Sequence, residues 1–390
     1  MKEIVFSVFA PGKEAFSNLE TLLRQFEQEK KIRVRLEVLS WADGWKHQLD
    51  SAIHSSGPDV SLTGSTWVKD LARMNALRPF SPGEIKKITL AKDYFPLSWS
   101  GVKEGTQTTW GIPLVCGVRM VYYRRDLLKQ AGVEESTAFQ TIANFENTLA
   151  KLKANGHETA LSMCTLPANV NLQNLASWIW RSDADFFDRN GTNLAIDTQK
   201  ALDGMKAYFR LGRYLGNFRL NQDYSDNLFE AGQAAVLISG YMNVTAADMP
   251  NQGMRENIGI ASLVGTSFVG LMDLIIWQHT RQPEAALELV QFLTRIESGK
   301  FLYPSWGLPP YQQGWNDASF DRPDHKTKMD AMQNGRSFPD TRLWALAEKH
   351  LSETIPQIWD AVIANPDESD KIVEETIAPL ARRLRLTFQS

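Results

Sequence analysis

Cysteine is nearly absent: Cys116 and Cys164 are the only two among 390 residues. They are too few for a disulfide framework or a zinc site, and a single bridge between them stays open at this level. The six histidines lie scattered with no H-E-x-x-H pairing. His47 and His54 can share one helix face, but a lone pair makes a poor metal site. Neither a phosphate-cradling G-x-x-x-x-G-K-S/T nor a dinucleotide G-x-G-x-x-G occurs, so both nucleotide fingerprints are excluded. The segment 265–270 misses a nucleophile elbow by one residue and leaves Ser267 without an assignable base. The acidic stretch 183–191 fails as a calcium loop, because setting Gly191 at the loop glycine puts Phe186 at the first ligand position.

Long apolar runs are missing too. The run 271–277 is short and interrupted by Asp273, and nothing reaches the ~18–20 residues of a membrane span. A net charge of −3 makes no case for nucleic acid or an anionic membrane. Met1, Lys2 and Glu3 lead directly into the first strand with no apolar signal region. The reading is therefore either a cytoplasmic protein or a chain that begins at its mature domain.

Tryptophan, by contrast, is abundant, with 12 residues. Excess Trp suits places where a broad apolar face meets a polar edge. Three β-type runs, 4–9, 34–39 and 59–63, each have an aromatic at or just past their ends: Phe9, Trp41 and Trp67. Ligands of open α/β sheets bind outside the carboxyl ends of the strands. Flat side chains gathered there would form a floor for a flat-faced polar ligand, and a sugar ring is the obvious candidate.

Hydrophobic spacing alternates strand with helix through the first third. Leu19, Leu22, Leu23 and Phe26 fall at i, i+3, i+4 and i+7. Asp43 is placed as the N-cap of a helix expected to bury Trp45, Leu49, Ala52 and Ile53. Such βαβ units imply a largely parallel sheet. The rhythm changes after about residue 110, and the C-terminal stretch reads as helical, broken near Pro356 and Pro366. At this length two domains are expected, joined by short extended crossings.

Several segments carry a resemblance. They are Leu22-Leu23-Arg24-Gln25-Phe26-Glu27 before a Val-rich strand, and Gly57-Pro58-Asp59-Val60 leading to Gly64-Ser65-Thr66-Trp67. Further along come Trp110-Gly111-Ile112-Pro113-Leu114 followed by 119–126, then Phe229-Glu230-Ala231-Gly232-Gln233-Ala234-Ala235, and Ser267-Phe268-Val269-Gly270. In order and spacing these resemble the family 1 extracellular solute-binding proteins of bacterial ABC sugar importers (maltose-binding-protein-like). The resemblance covers nearly the whole chain. It implies an α/β, two-lobed periplasmic-binding-protein-like fold (type II). Each lobe would be a mainly parallel sheet flanked by helices, with a ligand cleft between lobes. The first lobe is expected over 1–112 and 265–305, the second over 113–264 and 306–390 with a helical C-terminus. The resemblance further implies non-enzymatic, high-affinity capture of a mono- or oligosaccharide, with hinge closure on the ligand. It implies permease subunits of an ABC transporter as partners, no nucleic acid, no cofactor and no metal. A monomer in an extracytoplasmic location is expected, with no signal segment in this chain.

The expected ligand set follows. Trp67, beside polar Ser65 and Thr66, matches a position that often meets sugar, and Phe9 and Trp41 extend that face. Trp41 can equally pack on the next helix. Arg119 can donate several fixed hydrogen bonds to hydroxyls or a carboxylate, or form an inter-lobe ion pair. The helix 171–181 adds Asn171 and Trp178. Asp183 stands where relatives have Gly-Gly, so it either accepts sugar hydroxyls or reshapes the loop. Tyr241 and Met242 replace a Gly-Pro-Trp, with Tyr241 taking over stacking. Asp273 falls in a segment usually richer in glycine, Trp306 near the hinge, and Trp344 at the start of a late helix. The alternatives are a carbohydrate-active hydrolase with paired carboxylates and the same fold binding a non-sugar solute. A barrel hydrolase would repeat strand and helix eight times with acids at the strand ends, whereas these ends carry Phe, Trp, Ser and Thr.

Overall fold

The computed structural model describes residues 2–10, 12–41, 43–88, 93–104, 108–166, 168–215, 221–240, 252–303, 305–316 and 323–389. The strands are β1 (Lys2–Phe9), β2 (Ile32–Leu39), β3 (Val60–Gly64), β4 (Lys103–Glu104), β5 (Thr108–Thr109), β6 (Ile112–Val118), β7 (Met120–Arg124), β8 (Leu161–Met163), β9 (Val236–Ser239), β10 (Ile258–Ser262) and β11 (Val269–Ile276). Two units divide the chain: residues 1–117 with 270–322, and 118–269 with 323–390.

The first unit is built on a five-stranded sheet in the order β2-β1-β3-β11-β6. β1 pairs in parallel with β2 from Lys2↔Ile32 to Phe9↔Leu39, and with β3 at Phe6↔Val60 and Ser7↔Ser61. Parallel neighbours need a crossover, which the Lys13–Lys30 and Gly44–His54 helices supply. The first of these buries Ala15, Leu19, Leu22, Leu23 and Phe26, the stripe that the spacing predicts. β11 runs antiparallel to β3, from Met272↔Gly64 to Ile276↔Val60. Ser7 and Ser61 share a buried hydrogen bond of 2.6 Å, and the Trp277 indole donates to Ser61 at 2.7 Å. That chain satisfies polar groups of β1, β3 and the residue directly after β11.

The second unit holds a four-stranded sheet in the order β10-β7-β9-β8. Here the expectation of a mainly parallel sheet is corrected. β7 is antiparallel to both β10 and β9, and only β8 and β9 are parallel. The helices linking β8 to β9 provide that one crossover. The expected break at Pro356 is also corrected, since the Trp344–Ala364 helix runs through it. Ile355, Ile358 and Trp359 are wholly buried there, so packing overrides the missing backbone donor. The chain does break at the Pro366–Glu368 turn.

Asn171 sits at the centre of this second core. Its Oδ1 accepts the Tyr208 hydroxyl and the Trp359 indole N–H, both at 2.7 Å, and its amide donates to the Cys164 carbonyl at 3.1 Å. Asn171→Ala would leave the buried Trp359 indole N–H without its acceptor and would cost Tyr208 its 2.7 Å bond, leaving the 3.4 Å one to the residue 171 carbonyl. The expected loss is roughly 2–5 kcal/mol of unfolding free energy, measured by chemical denaturation, with no change attributable to ligand.

Candidate functional site

Because β1, β2 and β3 are parallel, their carboxyl ends emerge on one edge, and the aromatic residues meet there. Phe9 and Trp41 stack with centroids 4.0 Å apart and planes 15° from parallel. Trp67 stands tilted to both, 58° from Phe9 at 5.7 Å and 55° from Trp41 at 6.2 Å. Trp45 closes the group, 5.4 Å from Trp67. Phe9 is sealed, while Trp41 remains 40% exposed. Phe9 is therefore the backing, and Trp41 and half-buried Trp67 present ring area at an angle to each other.

The corner depends on a residue without a side chain. A Cβ on Gly44 would lie 2.0 Å from Cε1 and 2.6 Å from Cζ of Phe9. Only glycine lets the helix come this close to the ring. That contact rotates the Gly44–His54 helix away from the expected face: Gly44, Gln48 and Ser51 are buried and Ile53 is 59% exposed. Gln48 then bridges to β3, accepting from the Thr63 hydroxyl at 2.6 Å and donating to the Leu62 carbonyl. Trp45 and Gly44 are site residues that the spacing missed. The available signal was a glycine and a tryptophan directly after the second strand-end aromatic.

Beside Trp67, Ser65 is the first residue of the Ser65–Arg73 helix and donates to Asp273 Oδ2. Both are buried, Asp273 completely, and its Oδ1 meets no donor among the described residues. Asp273 is thus expected to act through Ser65 and not by touching ligand. Burial pushes its carboxyl up to about 7, and the Ser65 hydrogen bond opposes that rise only in part.

In the second unit Arg119 is buried, its Nε donating to Asn174 Oδ1 at 2.8 Å. Cys164 lies close enough to feel that guanidinium, yet burial still pushes its thiol up to about 11. Neither cysteine is in a disulfide. Asn171 and Trp178 are engaged in the core, the latter edge-on to Phe145 at 5.5 Å and beside Tyr208 at 5.2 Å. Trp344 is likewise enclosed, stacked on Phe338 at 4.4 Å and edge-on to Phe186 at 5.1 Å. Asp183 points to solvent, 87% exposed and 3.8 Å from Lys200. Its φ of +54° explains why a glycine would suit that position. Trp306 is half-buried and belongs to the first unit. Tyr241 and Met242 lie outside the described residues. In the 183–191 stretch Asp188 accepts from Thr192 and Asn193 backbone and from the Asn193 amide, which makes a closed turn. Among the described residues no cluster of three or more His, Cys, Asp or Glu is placed to hold a metal ion.

A family model described as bacterial extracellular solute-binding protein matches residues 10–300. A binding protein of Brucella abortus (strain 2308) is 23% identical over 296 residues, 70% of this chain and 67% of its own. The sugar-binding protein MalE of Xanthomonas citri superposes with a TM-score of 0.80 at 22% identity, covering 100% of both chains. The maltose-bound T. maritima MalE3 gives a TM-score of 0.84 at 16% identity, covering 99% of this chain and 100% of its own. These structural likenesses establish the periplasmic-binding-protein fold.

The buried carboxyl sets a pH dependence. Asp273 has a folded pKa of about 7 against an ordinary 3.8, so below about pH 4 it is neutral in both states and costs nothing. As pH climbs from there to about 7 the unfolded chain ionises first, stability falls, and the penalty levels off above. Asp273→Asn is expected to flatten this decline. It should raise unfolding free energy at pH 8 by about 2–4 kcal/mol, read from denaturation curves across pH.

Proposed function

The chain belongs to the family of bacterial extracellular solute-binding proteins, and on that footing we propose that it captures a carbohydrate on the aromatic corner of its first unit for delivery to an ABC importer. The observation that carries this reading is the exposed face of Trp41, backed by Phe9 and set at 55° to Trp67. A pyranose offers C–H groups on one face and hydroxyls around its rim, and a preformed aromatic surface accepts the apolar face without reorganising. Two ring planes at such an angle suit a ligand with two apolar faces, as consecutive sugar units present. Names among the relatives support the class: the T. maritima protein holds maltose, and a partial match of 28% identity over 102 residues is an arabinooligosaccharide-binding protein of Halalkalibacterium halodurans.

In this reading the sugar leaves chemically unchanged, the protein works as a monomer outside the cytoplasm, and permease subunits receive the ligand. Arg119 supplies hydrogen-bond donors in the second unit, and Trp306 in the first is a further candidate for contact.

Calorimetry against maltose, arabino-oligosaccharides and single sugars tests the reading directly. At least one saccharide is expected to bind, and Trp41→Ala and Trp67→Ala should each weaken it about 10–100-fold, roughly 1.4–2.8 kcal/mol. Asp183→Ala should leave affinity unchanged. Binding untouched by both Trp substitutions, or release of shortened sugars from the mixture, would overturn it.

A further inference from the structure

Asp273 is a buried acid for which sugar stacking has no use. Its place on β11 is opposite Thr63 at the end of β3. The walls are tight and apolar: a Cβ on Gly111 would stand 3.1 Å from Val102, 3.3 Å from the Asp273 Cβ and 3.4 Å from Ile275. Ser65, its one hydrogen-bond donor among the described residues, is itself pressed from the other side, since a Cβ on Gly101 would meet Ser65 Cβ at 2.5 Å. The Ser65–Arg73 helix has Gly64 at its N-cap and so has no side-chain cap. Ser65 is therefore the side chain that ties this helix start to the sheet, and Trp67 stands in the same turn.

The charged neighbours do not neutralise the acid. Tyr94, just before the Pro96–Ser100 helix, is the titratable group that feels Asp273. On the helix that carries Ser65 the charged residues are Lys69, Asp70 and Arg73, and the last two pair at 3.0 Å. Burial raises the Asp273 carboxyl and the Ser65 hydrogen bond lowers it.

We propose that Asp273 is a positioning residue for the aromatic corner: through Ser65 it fixes the helix start that carries Trp67, and ionisation of the carboxyl resets that hold. A charged oxygen with no donor in a dry, apolar site is strongly disfavoured. Ionisation strengthens the Ser65 hydrogen bond, while the other oxygen is relieved by admitting water or drawing in first-turn backbone N–H groups, and both changes shift Ser65. With the carboxyl pushed up to about 7, the change falls in the neutral range. The effect on binding rests on the carbohydrate reading, whereas the coupling to Trp67 does not.

The test is the indole 15N–1H spectrum of the ligand-free protein from about pH 5.5 to about 8.5, with Trp67→Phe assigning the signal. The Trp67 signal should move with a midpoint near 7 in the native protein, stay still in Asp273→Asn, and stay still in Ser65→Ala while other indole signals are unaffected. A native Trp67 signal that does not titrate, or one that titrates identically in either variant, overturns the proposal. Should Asp273→Asn fail to fold, Ser65→Ala decides alone. A second arm measures maltose binding by calorimetry at both pH limits, with unequal affinity at the two limits in the native protein and equal affinity in Asp273→Asn. Equal affinity at both limits in the native protein counts against the proposal. Absence of binding by any saccharide at either pH would instead sink the carbohydrate reading, and the indole titration would still decide the coupling between Asp273 and Trp67.

Discussion

The close approach of Gly44 to the ring of Phe9 is the contact on which the first unit's working edge depends. It seats Phe9 flat at the end of β1, and Trp41 then takes its plane from Phe9. The same contact turns the Gly44–His54 helix so that Gln48 reaches β3 and Trp45 meets Trp67. Four rings from four separate segments are thereby held before any ligand arrives. Rings already locked lose little freedom on binding, so their contact area converts efficiently into affinity.

The second unit uses its polar groups differently. Asn171 serves as a junction for Tyr208, Trp359 and the Cys164 carbonyl. Arg119 donates to Asn174 on the same helix, the Ala168–Arg181 helix. Buried hydrogen-bond networks of this kind specify one packing over its competitors. They also show why amide and aromatic residues that suit a sugar site by type are absorbed by the fold: a buried helix face offers them partners first.

What could be read from the chain was local. The Leu19–Phe26 stripe and the strand-end positions of Phe9, Trp41 and Trp67 follow from periodicity and from the direction of parallel strands, and the site's aromatic half was legible for that reason. What could not be read was spatial. Ile53 has the spacing of a core residue, yet a glycine contact across the sheet edge turns it outward. Asn171, Trp178 and Trp344 carry ligand-like chemistry in an order that gives no hint of the rings enclosing them. Pro356 looks like a break because its neighbours' burial is invisible in one dimension. Asp183 takes a left-handed backbone, which Asp tolerates, so a departure that reads as a new acceptor is first a matter of loop geometry.

The two buried thiols have a practical corollary. Cys116 and Cys164 are both enclosed, and burial drives each away from its nucleophilic form, so neither competes for thiol reagents in the folded state. A cysteine introduced at an outward position such as Ile53 would be labelled almost alone. The native chain thus already provides a quiet background for attaching a fluorophore.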